Sequence, residues 1–223
     1  LLNGTNATLF GNGPELLKYI AGEKITSELK KGEIYSKRFA NGVKLLCARS
    51  PHITMGNLYC VENNRGSDIW NYFDLGKNIV CVNAICENIQ QRLNGCDYDS
   101  DTMLVTPNKF LCDAVNEEYY HYGVPVCKVE TSGKTDYENS PKGLAKLDRV
   151  IANNLIGEIV NLSQFLNSLY WNEICYGRSM DEVKWIYLDV CKLAVLSGME
   201  IDKAKRMYAV KTGKVLHRLE KRK

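Results

Sequence analysis

The sequence predicts an α+β protein, a small β-barrel followed by an α-helical subdomain, on three observations. Short apolar runs divided by turn residues recur between residues 34 and 130. A polar stretch, 131–142, then interrupts them with Gly133 and Pro141. Beyond it Leu144, Leu147, Val150, Ile151, Leu155, Ile159, Leu162, Phe165 and Leu166 recur at three- and four-residue steps, the period of one helix face. With 223 residues, 45% hydrophobic and 25% charged, the chain is long enough for one or two domains with a real core. Three regions follow: a lead-in at 1–33, a barrel at 34–135 and a helical subdomain at 136–223.

The lead-in opens with turn signals, Asn3-Gly4 and Gly11-Asn12-Gly13, and Pro14 then stands at a first helical position before Glu15 to Ile20, so one short helix is expected there. Strands are expected at 34–39, 43–48, 57–61, 79–84, 102–106 and 124–129. Asn41-Gly42, between the first two, predicts a hairpin, and Pro107 a short helix through about Val115. After the polar stretch, one long helix is expected at 144–166, then two more at 180–196 and 201–219, divided by Ser197-Gly198. Tyr170, Trp171, Tyr176, Trp185 and Tyr187 read as core aromatics.

The chemistry concentrates in Asn94-Gly-Cys-Asp97-Tyr-Asp99-Ser-Asp101. Three carboxylates at two-residue spacing face one way along an extended segment, whereas a helix would splay them apart, so the motif calls for a strand end or a tight loop. Oxygen donors of this kind suit Mg²⁺ or Mn²⁺, hard ions that keep positions open for substrate phosphates. A calcium loop of the EF-hand kind would need Gly and Glu where Thr102 and Asn108 stand. A solvated acidic turn is the other reading; the apolar flanks Ile79 to Val82 and Met103 to Val105 weigh against it. Cys96, by the same alternation, turns toward the core.

Gln91-Arg-Leu-Asn-Gly-Cys-Asp97-Tyr-Asp99-Ser-Asp101-Thr-Met-Leu-Val105 resembles the metal-binding segment of the two-barrel RNA polymerases, the superfamily of cellular β′ subunits and RNA-silencing RNA-dependent RNA polymerases, whose pattern is Asp-x-Asp-Gly-Asp. Upstream, Leu45-Leu-Cys-Ala-Arg49-Ser-Pro51-His52 is similar to an Arg-x-Pro-x-x-His segment leading into the same barrel, although here the His follows the Pro directly. Downstream, Ser197-Gly-Met-Glu-Ile201-Asp202-Lys203-Ala-Lys205 is similar to a Ser-x-x-Val-Asp-x-x-Lys segment. The resemblance implies a double-psi β-barrel in which Asp97, Asp99 and Asp101 hold catalytic Mg²⁺ and Arg49 contacts the incoming nucleotide. It implies nucleoside triphosphates as substrates, an RNA or DNA template, and a second barrel domain or subunit supplying lysines. Ser100 stands where the family has Gly. The chain also resembles the reduced polymerases of phages and mobile elements, and the resemblance implies such an origin.

Metal-dependent nucleotidyl transfer is thus the leading expectation. Two others remain: a nonenzymatic nucleic-acid-binding or assembly module on the same barrel, and a metal-dependent hydrolase or nuclease, which lacks a nearby His or Lys to act as base or acid. The net charge of +3 excludes little by itself, but Lys203, Lys205, Arg206, Lys211, Lys214, Arg218, Lys221, Arg222 and Lys223 form a basic tail suited to phosphate. The nine cysteines (47, 60, 81, 86, 96, 112, 127, 175 and 191) include no Cys-x-x-Cys pair and read as reduced, buried thiols; with His52, His121 and His217 scattered, structural zinc is not expected. No run approaches the roughly 18 apolar residues of a membrane span, so cytoplasmic residence is the default. The chain opens at Leu1-Leu2 without an initiator Met and closes on Lys223, which reads as a part of a longer parent.

Overall fold

A computed structural model describes residues 3–85, 87–118, 122–133 and 136–222; Leu1, Leu2, Cys86, His121 and Lys223 lie outside the described residues. The chain divides into two compact units, Leu1–Val124 and Pro125–Lys223.

The first unit is a closed barrel of β1 (Thr5–Phe10), β2 (Glu33–Ser36), β3 (Lys44–Ala48), β4 (Tyr59–Asn63), β5 (Ile79–Val82) and β6 (Thr102–Thr106), in the order β1-β5-β2-β4-β3-β6. β1 with β5 and β2 with β4 run parallel; the other four pairings are antiparallel. Alternate residues fill the interior: Ala7 and Leu9, Leu45 and Cys47, Val80 and Val82, Met103 and Val105, all at most 3% exposed. Each large aliphatic side chain buried this fully contributes about 1.5–3 kcal/mol. Outside the ring, Tyr35 and Cys81 pack under the short helix α2 (Ile69–Tyr72), and Leu46 under α4 (Lys109–Glu118). α1 (Gly13–Ile20) begins with Pro14 in its first turn, as expected, and α3 (Ile89–Arg92) is capped by the Asn88 side chain.

Three expectations are corrected here. Residues 5–10, read as lead-in, are a barrel strand; only Ala7 and Leu9 face inward, while Asn6 and Thr8 point outward, so the run carries too little apolar signal to read as a strand. Asn41-Gly42 turns the chain, with Gly42 at φ +75°, but makes no hairpin, because β4 lies between β2 and β3. The link crosses the end of β4, where buried Asn63 holds it: its amide donates to the carbonyls of Ser36, Phe39 and Ala40, and its oxygen accepts from the Ser36 N–H. Residues 124–129 form no strand. Val124 ends one unit and Pro125 opens the next.

The second unit contains α5 (Pro141–Ala152), α6 (Ile156–Cys175), α7 (Met180–Ile201) and α8 (Thr212–Glu220). α6 and α7 bury facing stripes, Ile159, Leu162, Leu166 and Tyr170 against Val183, Ile186, Val190 and Leu193. Ser179 and Glu182 form a reciprocal capping box that starts α7. The single helix expected at 144–166 is two: Asn153 leaves helical geometry, and the Leu155 N–H turns to the Glu200 carboxylate (3.2 Å). The break expected at Ser197-Gly198 does not occur; α7 runs on to Ile201, and α8 starts only at Thr212, so most of 201–211 is not helical. Of the expected core aromatics, Tyr170 is buried against Trp171 and Tyr187, whereas Tyr176 and Trp185 are exposed, Trp185 lying under the Arg222 guanidinium. No described helix is long and apolar enough to cross a membrane. Cys47, Cys81, Cys96 and Cys112 are buried, Cys60 and Cys191 half-buried, and Cys127 and Cys175, against expectation, exposed.

Candidate metal loop on the barrel

The acidic segment is a tight loop delivered into β6. α3 ends at Arg92, Asn94 and Gly95 take positive φ (58° and 72°), and the Gly95 N–H returns to the Gln90 carbonyl at 2.7 Å. Cys96 then drops into the barrel core, as its place in the sequence predicts, and burial pushes its thiol up to about 11. Tyr98 lies against Gly11, where an added Cβ would stand 3.0 Å from the ring, so the loop seats on the β1–α1 link at a residue with no side chain. Burial pushes the Tyr98 phenol up to about 12. The Leu9 N–H donates to the Asp101 carbonyl at 2.9 Å, fixing the far end of the loop to β1.

This path brings the three acids together. Asp97, Asp99 and Asp101 each present a carboxylate oxygen within 4.8 Å of the others, Asp97 and Asp99 exposed and Asp101 half-buried. The Asp97 N–H donates to Asp101 Oδ2 (2.9 Å) and the Asp99 N–H to Asp97 Oδ1 (3.4 Å), so the loop backbone orients its own carboxylates. Opposite oxygen ligands stand about 4.2 Å apart on an ion with bonds of about 2.1 Å and about 4.8 Å apart on one with bonds of about 2.4 Å, so three hard oxygen donors at this spacing can be gathered by one divalent cation.

Arg49 joins the site from the end of β3. Its Nη2 lies 2.7 Å from Asp101 Oδ2, and its Nη1 donates to the Asn94 carbonyl at 3.0 Å, bracing the loop at both ends. Arg49 and Asp101 face an open cleft of about 420 Å³ that His52, Ser100 and Asn6 also line. Asn6 had no signal in the sequence, because it depends on a strand whose inward residues are few; its amide donates to the Thr102 hydroxyl at 3.2 Å. Ser100 sits at φ +100°, a conformation that favours Gly. The third segment of resemblance, 197–205, lies in the other compact unit, on the end of α7 and a short 3₁₀ turn, Asp202–Ala204.

No family model and no curated protein sequence matches the chain. Among solved structures it is similar to the RNA-dependent RNA polymerase QDE-1 from Thielavia terrestris, with a TM-score of 0.47 and 15% identity, over 97% of this chain and 24% of that one. The chain therefore spans about a quarter of that polymerase's length.

Proposed function

We propose that this chain carries the metal-holding barrel of an RNA-polymerase-like nucleotidyltransferase that uses nucleoside triphosphates and an RNA or DNA template. The observation that carries this reading is the convergence of Asp97, Asp99 and Asp101 within 4.8 Å at the entry to a barrel strand, with Arg49 bonded to one of them. Mg²⁺ or Mn²⁺ bound there would supply charge neutralisation at the α-phosphate and acidify an attacking 3′-hydroxyl. The protein's part is positioning. The loop N–H groups hold the carboxylates in register, and Arg49, beside the cleft, offers a planar fork of donors for a phosphate oxygen. A second barrel domain or subunit supplying lysines completes the site in this reading.

Incorporation of labelled nucleoside triphosphates by the complete gene product, with Mg²⁺ or Mn²⁺ and with RNA and DNA templates offered separately, tests it. Asp99→Asn lowers template-dependent synthesis by about 10³-fold or more with the fold unchanged by circular dichroism. Full activity in the variant sinks the assignment. One observation favours a second reading: Ser100 holds a φ of +100° where Gly would be relaxed, as expected of a barrel kept for binding after chemistry was lost. Equal silence of both proteins, with salt-sensitive binding of RNA or DNA, selects that reading.

A further inference from the structure

The helical unit has its own cleft, of about 720 Å³, within the range of ligand-binding pockets. Among the described residues, Lys203, Lys205 and Arg206 line it against one acid, Asp136. Lys203 is bonded to the Asn153 carbonyl and lies near Glu200, whereas Lys205 and Arg206 are both exposed on the turn after α7, Arg206 beside the Tyr208 phenol. The same cleft is lined by half-buried Tyr137, the Ser132 hydroxyl and the aliphatic Leu147 of α5. The Ser132 N–H donates to the Met207 carbonyl (2.9 Å) and the Ala209 N–H to the Glu130 carbonyl (3.2 Å), so the two walls are tied together by backbone.

We infer that this cleft binds a short segment of single-stranded nucleic acid. Paired cations and a hydroxyl suit phosphate and sugar oxygens, and an aromatic ring beside an aliphatic floor suits a base face; sequence-tolerant single-strand sites combine these groups. An acidic peptide would use the cations but leave the aromatic and hydroxyl without a role. The site extends the polymerase reading to a second contact with the strand, without needing the metal loop.

The test is fluorescence anisotropy of a labelled 12-nucleotide RNA, and of the same DNA sequence, on the full chain in EDTA. Lys205→Gln with Arg206→Gln weakens binding at least tenfold and lowers the slope of log K against log salt by about 1.4, two single-strand phosphates at about 0.7 each. Lys211→Gln with Lys214→Gln, the same charge change on exposed residues around the start of α8, leaves both unchanged. Tyr137→Ala weakens binding about fivefold or more at constant salt slope. Equal loss in the two Lys/Arg pairs, no loss in either, or displacement of the RNA by a polyglutamate peptide at equal charge overturns the proposal. Because EDTA silences the metal loop, failure here leaves the polymerase reading standing, and loss of synthesis in Asp99→Asn does not bear on the cleft.

Discussion

The barrel and the helical unit differ in how they bury most of their polar groups. In the barrel unit the buried polar side chains are mostly amides and hydroxyls, Asn57, Asn63, Asn83, Ser36, Thr54 and Thr106, with one carboxylate, Glu15, which accepts from the Glu28 N–H, and each of the three asparagines ties down a connection. In the helical unit two carboxylates are buried: Asp189, bonded to Lys192 and, through both of its carboxylate oxygens, to Arg222, and Glu200, accepting from the Leu155 N–H. A neutral plug holds a crossing at any pH, whereas a buried carboxylate holds only while its cations stay in place. The amides that pin the barrel's crossings are separate from its acidic loop, so a carboxylate of that loop can be changed without changing the scaffold.

Asp99→Asn is the largest expected effect and the most direct test of that separation: activity falls about 10³-fold while the melting temperature stays put. Alkaline pH attacks the scaffold instead. Burial raises the Cys47, Cys60, Cys81 and Cys96 thiols, the last three to about 12, 12 and 11, so above about pH 9 the unfolded chain has released protons that the barrel still holds. Stability falls through this window as pH rises, by about 1 kcal/mol per pH unit for a fully buried thiol, and urea titrations at pH 8 and 10 measure it. Asn63→Ala removes four hydrogen bonds from the crossing of β2 to β3 and costs about 3 kcal/mol by the same titration. Asp189→Ala costs less, about 2 kcal/mol, because Lys192 and Arg222 regain water; it loosens the chain end after α8, and limited proteolysis there reports it. Equal proteolysis of wild type and variant would show that Arg222 does not tether that end. Ser100→Gly is the smallest change. It relaxes a φ of +100° and raises the melting temperature by a few degrees, equivalent to about 1 kcal/mol.

The acid triad was legible in the sequence because the features that mark it are local: two-residue spacing, a Gly-containing turn before it and an apolar strand after it. The fold class was legible from the switch between apolar runs and helical periodicity. What stayed hidden depends on partners far along the chain. β1 shows two inward apolar residues and becomes a strand only because β5 and β6 flank it. Asn41-Gly42 has the form of a hairpin turn, and nothing near it says that β4 occupies the space between its strands. Helix ends were equally deceptive: Ser197-Gly198 lies within α7 because Ser197 is buried against its neighbours, while the true stop at Asn153 depends on Glu200 from another helix.

In the barrel only one of the six described pairings, β3 with β4, joins strands consecutive in the chain. The seam between β1 and β6 joins Thr5 to Val105 and Thr8 to Thr102, a loop closure that is slow because its entropy is lost before its contacts reward it. The Leu9 N–H that fixes the acidic loop belongs to this seam and bonds the Asp101 carbonyl. On a growing chain the Asp101 end of the acidic loop is therefore anchored only when the ring shuts, and under the metal-holding proposal Mn²⁺ uptake during refolding tightens with that last step.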